Sequence, residues 1–177
     1  MGKKIKRVLV VLGGTSRERL ISLDSGRACI KSIKRNGFHV ETFDPAKKQL
    51  NEINRNKVDV IFNALHGKGG EDGMAQSYFE YLRIPYTHSG VISSMNAMDK
   101  VISKKIFNKS KILTPKFFVL NSNQFKKTNL KNLKKKKIIK LPIVVKPSDE
   151  GSSIGVKICK NLNELNTAEM ALLAGLP

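Results

Sequence analysis

Apolar and polar positions follow two rhythms in the first half of this chain. Val8-Leu9-Val10-Val11-Leu12 is an unbroken apolar run, the pattern of a strand buried on both faces of a parallel sheet. Gly13-Gly14-Thr15-Ser16 ends it in a turn that can feed a helix, with Ser22 or Asp24 placed to cap it. Leu23, Ala28, Ile30 and Ile33 approximate one helical face, and Asn36-Gly37 closes that helix. Phe38 to Phe43 alternates as a second strand, broken by Asp44-Pro45. A short polar helix around Lys48 to Asn56 then leads to a third strand, Val58 to Phe62. Strands alternating with helices imply right-handed crossovers and a parallel sheet of Rossmann-like α/β type.

Beyond this unit the pattern predicts a helix from Met74 to Leu82 and a short strand and loop over Ile84 to Gly90. A helix through Asn108 follows, with Asp99 as its N-cap. Thr114-Pro115 marks a domain boundary, giving domains 1–113 and 114–177. The second opens on a strand from Lys116 to Leu120. Asn121 to Lys140 reads as a loop plus a short helix, with Lys134 to Lys137 a solvated edge. Ile143-Val144-Val145 is a short buried strand, and helical character returns from Thr167 to Leu173.

Chemistry gathers where strands end, the usual ligand side of an open α/β sheet. Gly13 to Arg19 lacks the G-x-G-x-x-G dinucleotide fingerprint. Asn63 to Gly73 holds four glycines, more than a plain connector to the next helix needs, so it reads as a ligand loop. Lys146 ends the short strand Ile143-Val144-Val145, and Pro147 stops it before Ser148-Asp149-Glu150-Gly151-Ser152-Ser153. A lysine facing a loop of glycine and hydroxyls suits a polyphosphate; a hairpin with a polar turn and a solvated lysine fits the same residues. Lys100, in a helix's first turn, opposes the helix dipole. It is either kept for a ligand or is one more surface lysine.

Composition changes this picture little. The chain has 177 residues, 40% of them apolar, enough for a core, and no apolar run near the roughly 18 residues of a membrane span. With a basic start and no signal-peptide core, it reads as soluble and cytoplasmic. Cys29 and Cys159 stand far apart without metal spacing and read as small buried hydrophobes. The net charge of +19 is spread along the chain with no nucleic-acid-binding signature beside it, which argues against a specific nucleic-acid partner.

Four stretches in order, LGGTSRER at Leu12 to Arg19, ALHGKGGEDG at Ala64 to Gly73, MDK at Met98 to Lys100 and VKPSDEGSSIGV at Val145 to Val156, resemble the D-alanine–D-alanine ligases of the ATP-grasp superfamily. The resemblance covers roughly residues 5 to 165. It implies an amino-terminal pre-ATP-grasp α/β domain followed by the first part of an ATP-grasp α+β domain. It implies a ligase that phosphorylates one D-alanine with ATP and lets a second D-alanine attack the acyl phosphate, for peptidoglycan synthesis. Glu18 would hold the first substrate's ammonium, His66 would lie near its carboxylate, and Ser152 would link Glu18 to the reacting region. Lys100 and Lys146 would meet ATP phosphates, and Ser153 would belong to the loop closing over them. Magnesium is implied, with no ligands for it in these 177 residues, and so is a homodimer through the amino-terminal domain.

Three departures qualify what the resemblance implies. Leu20 stands where the family has a glutamate, which leaves the turn near Glu18 without that support. His88 replaces a customary glycine and so requires a position without obligatory positive φ. After Leu165 the motif likeness ends, and a truncated chain, inactive alone, is the expectation. Two other classes remain open: a non-catalytic remnant that dimerises or binds ligand, and a basic polyanion-binding protein.

Overall fold

The computed structural model describes residues 5–120 and 140–173. The chain divides into two compact units, Met1–Asp99 and Lys100–Pro177.

In the first unit, β1 (Arg7–Val11) lies between β2 (His39–Phe43) and β3 (Val60–Asn63), all parallel. The unbroken apolar run of β1 follows from burial on both faces. Val8, Val10 and Leu12 join Ala64 on one face, against Leu23, Ile30 and Ile33 of α1 (Arg19–Arg35). Leu9 and Val11 point the other way, into a cluster with Phe43, Ile61, Phe79 and Ile84. A strand with core on both sides has no solvent face on which to alternate. Phe79 belongs to α2 (Met74–Tyr81), and Tyr86 adds a parallel bridge to Ile61 at the free side of β3.

Three local expectations need correction. Neither Ser22 nor Asp24 caps α1: the helix starts at Arg19, with Glu18 at its N-cap position. Ser22 is fully buried because its hydroxyl accepts from Gly13 N at 2.8 Å and donates to Ala64 O at 2.6 Å. The polar helix near Lys48 is two single 3-10 turns, Leu50–Glu52 and Arg55–Lys57. Asn54 Oδ1 accepts from Asn56 N at 3.0 Å there, a local bond that competes with a continuous helix. An unforeseen helix, α3 (Val91–Met98), precedes the extended Asp99.

The second unit starts with α4 (Lys100–Lys109), which directly follows Asp99. The packing thus divides the chain before Thr114-Pro115, and Lys104 Nζ ties α4 to Thr114 Oγ1 at 2.7 Å and Pro115 O at 2.8 Å. Residues 116–120 form no strand. The loop, short helix and lysine run expected over 121–139 lie outside the described residues. β4 (Ile143–Val145) pairs antiparallel with β5 (Lys157–Cys159), and α5 (Leu162–Leu173) packs Leu165 and Ala168 on Cys159. The helix begins earlier than its apolar pattern predicts because Asn161 and Glu164 cap it. Asn161 Oδ1 accepts from Glu164 N at 2.9 Å, and Glu164 Oε2 accepts from Lys160 N at 2.8 Å.

Gly26 sets how closely α1 lies on β1, since a Cβ there would stand 2.8 Å from Leu12 Cβ. Gly26→Val is expected to destabilise the chain by about 2 kcal/mol through overpacking, read as a lower midpoint in urea unfolding.

Candidate active site

The turn after β1 is shaped by a salt bridge. Arg19 donates to Asp44 at 3.0 and 2.7 Å and to Gly14 O at 2.7 Å, while Asp44 Oδ1 accepts from Gly14 N at 3.0 Å. Gly13, at φ 84°, leaves room for this pair: a Cβ there would fall 2.6 Å from Asp44 Oδ1. Leu20 is 75% exposed, so the turn rests on Arg19, Asp44 and Ser16 rather than on its side chain. Ser16 Oγ accepts from Glu18 N at 3.2 Å and donates to His66 O at 2.7 Å, tying the first loop to the glycine loop.

Glu18 is buried, at 2% exposure, with its carboxylate against Gly67, where a Cβ would come within 2.8 Å of Oε1. Only glycine fits there, doubly so at φ 71°. His66 follows β3 and places Nε2 2.9 Å from Ser25 Oγ on α1, with Nδ1 3.9 Å from Glu71 Oε1. Glu18, His66 and Glu71 bring one ligand atom each within 4.8 Å of one another. Two carboxylates and an imidazole so placed suit a small cation, either an alkylammonium group or a metal ion.

The glycine loop braces itself. Gly67 N donates to Glu71 Oε2 at 2.8 Å and Gly69 N to Asp72 Oδ2 at 2.8 Å. Asn63 Nδ2 and Gln76 Nε2 both donate to Gly70 O, at 2.9 and 2.8 Å, from buried positions. Gln76 Oε1 is buried with no hydrogen-bond partner among the described residues. A pocket of about 370 Å³ opens beside this loop, lined by Ser25, Asn63, His66, Glu71, Gln76 and His88 among others. Cys29 also lines it and is half-buried, not the core residue its apolar context implied. His88 corrects a second expectation, for its φ is +77°. The left-handed region admits histidine more readily than most residues, so the missing glycine costs strain rather than the fold.

In the second unit Lys100 is not a free surface lysine. Its N donates to Ser148 O at 2.9 Å, and its Nζ donates to Ser148 O at 3.3 Å and to Glu150 O. Lys100 thereby holds the loop that Lys146 opens, Lys146 itself being exposed just past β4. Ser152 and Ser153 sit at φ 45° and 62°, a left-handed pair that turns the loop, with Gly155 at φ 68° behind them. The structure thus brings Glu18 and His66 together in one unit, and groups Lys100, Lys146, Ser152 and Ser153 around one loop in the other. The motifs did not single out Ser25, Glu71, Asn63 or Gln76. A signal existed for Ser25, which lies one helical turn from Ser22.

Comparison with known proteins points to one family over both units. The family model described as D-ala D-ala ligase N-terminus matches residues 40–89, and that described as D-ala D-ala ligase C-terminus matches residues 106–174. A D-alanine–D-alanine ligase from Pelagibacter ubique is 50% identical over 165 residues, 93% of this chain and 54% of its own length. The chain belongs to the D-alanine–D-alanine ligase family. The solved D-alanine–D-alanine ligase of Bacillus anthracis is 35% identical, with a TM-score of 0.80 over 97% of this chain and 55% of its own. The same organism's ligase complexed with ATP gives 33% identity and a TM-score of 0.73, over 95% of this chain and 53% of its own. The chain therefore spans about half the length of the relatives it matches. The match to residue 174 also runs past Leu165, where the motif likeness ends. Among the described residues no helix is long and apolar enough to cross a membrane.

Arg19, with two backbone donors, holds the Asp44 carboxyl far below the ordinary carboxylate range. A depressed folded-state value means the carboxylate's contribution to stability is full above the unfolded value of about 4 and is lost as pH falls toward the folded one. Asp44→Asn is therefore expected to lower Tm at pH 7, with the gap to wild type closing as pH falls below about 4.

Proposed function

We propose that this chain supplies the first-substrate site and the phosphate-binding loop of an ATP-dependent ligase that joins two D-alanines for peptidoglycan synthesis. The observation that carries the reading is the convergence of Glu18, His66 and Glu71 within 4.8 Å beside a braced glycine loop, in a chain of this family. A buried carboxylate with a second one close by suits the ammonium of an amino acid; Glu18 is the residue proposed to hold it, with His66 near the substrate's carboxylate.

A carboxylate is a poor electrophile, and transfer of the γ-phosphoryl group from ATP to D-alanine supplies the leaving group that a second amine then displaces. Cations near the phosphates stabilise the charge in transfer, the role proposed for Lys100 and Lys146. Ser152 and Ser153, in the loop that Lys100 holds, would help cover the acyl phosphate from water. Magnesium, when bound, would offset the charge of ATP, and its ligands would come from the part of the family that these residues do not span. A cytoplasmic homodimer paired through the first unit completes the proposal.

The 177 residues alone are then expected to bind D-alanine without turnover. D-alanine, but not L-alanine, should raise the Tm of the chain, and Glu18→Gln should abolish that rise while leaving the ligand-free Tm within a few degrees. With Mg-ATP and D-alanine, no D-alanyl-D-alanine should form. Dipeptide in that assay would refute the inactivity, and a D-alanine response that survives Glu18→Gln would refute the site. A ligand-free chain that instead binds polyphosphate or RNA, with affinity falling steeply in salt, would favour a polyanion-binding role.

A further inference from the structure

His88 stands at a backbone conformation that disfavours side chains, on the rim of the pocket that also holds His66 and Glu71. Backbone strain at a ligand pocket is worth a functional question, because a glycine would relieve it. Two contacts fix the imidazole. Thr87 Oγ1 lies 2.8 Å from His88 Nδ1, and the Phe62 ring stands nearly perpendicular to it, at 78° with centroids 5.8 Å apart.

The same hydroxyl occupies Nδ1 and leaves Nε2 as the ring nitrogen that can meet a ligand. Thr87 Oγ1 accepts from Asn63 N at 3.1 Å and keeps both a hydrogen and a second lone pair for the imidazole. When that hydroxyl donates to Nδ1, the ring hydrogen is on Nε2 and can be donated to a carboxylate. The pocket carries acceptors on the side of Glu71, and His88 brings to its rim an imidazole held at Nδ1 that can donate from Nε2. A ligand that presents both an ammonium and a carboxylate group matches that arrangement.

We propose that His88 is a substrate-binding residue of this chain, its Nε2–H donating to the carboxylate of the amino acid held in this pocket. The proposal rests on the D-alanine reading above and adds a group that a glycine could not supply. The relief of strain and the loss of the donor then act in opposite directions on one substitution. A residue kept for packing alone would not separate them.

The test compares the 177-residue wild type with His88→Gly, each titrated by calorimetry with D-alanine and with D-alaninol, which keeps the ammonium and lacks the carboxylate. His88→Gly is expected to raise the ligand-free Tm, because φ +77° suits glycine, and to weaken D-alanine binding roughly fivefold. Binding of D-alaninol should be equal in the two proteins. If wild type binds D-alanine and His88→Gly binds it as tightly, the role of His88 is overturned while the D-alanine site stands. Equal weakening for both ligands also overturns it, since the loss would then not lie at the carboxylate. If wild type binds neither ligand, the D-alanine reading itself falls and His88 with it. His88→Asn, which tolerates left-handed φ, should lose affinity for D-alanine without the rise in Tm.

Discussion

The hydroxyl of Ser22 holds together the end of the sheet where the first unit's site is built. It accepts from the backbone after β1 and donates to the backbone after β3, and it does so from the first turns of α1. The ends of two strands and a helix thus share one buried atom. The consequence is positional: Glu18, one turn before Ser22, comes to lie against Gly67 and close to His66. An alanine there would leave a buried N–H and a buried carbonyl without their partner, a loss of about 1–3 kcal/mol for each such group. Parallel strands impose the sidedness, because β1 and β3 both end toward the same edge.

Much of this was legible in the sequence, for physical reasons that differ from element to element. The double-faced burial of β1 writes an unbroken apolar run, and such a run is hard to mistake. The order of strands and helices then restricts the topology almost by itself. Glycine density marked the loop after β3, because a carboxylate and a Leu65 side chain crowd its backbone. What stayed hidden was the use made of hydroxyls. Ser22 reads as a cap, since serine is a good cap, and only the packing shows that it serves two neighbouring strands instead. Cys29 reads as core from its apolar neighbours, although its helix turns it toward a pocket. The start of α5 was written in polar residues, Asn161 and Glu164, ahead of its apolar face.

The site residues fared unevenly for the same reason. Glu18, His66 and the loop lysines sit in dense motifs, where the resemblance points to them one by one. Glu71 lies inside such a motif yet its role depends on the loop folding back, with Gly67 N on its carboxylate. Gln76 belongs to a helix whose pattern is apolar, and its contact with Gly70 O appears only in three dimensions. Side chains that act on the backbone leave little trace in a pattern of hydrophobicity.

Lys100 gives the second unit a property that follows from simple competition. Its ammonium is shared between two carbonyl oxygens of the loop it holds, at Ser148 and Glu150. An anion that draws this charge away must compete with those carbonyls, while the bond from Lys100 N to Ser148 O is untouched. The side chain of Lys100 can then change partner while its main chain keeps the loop tied.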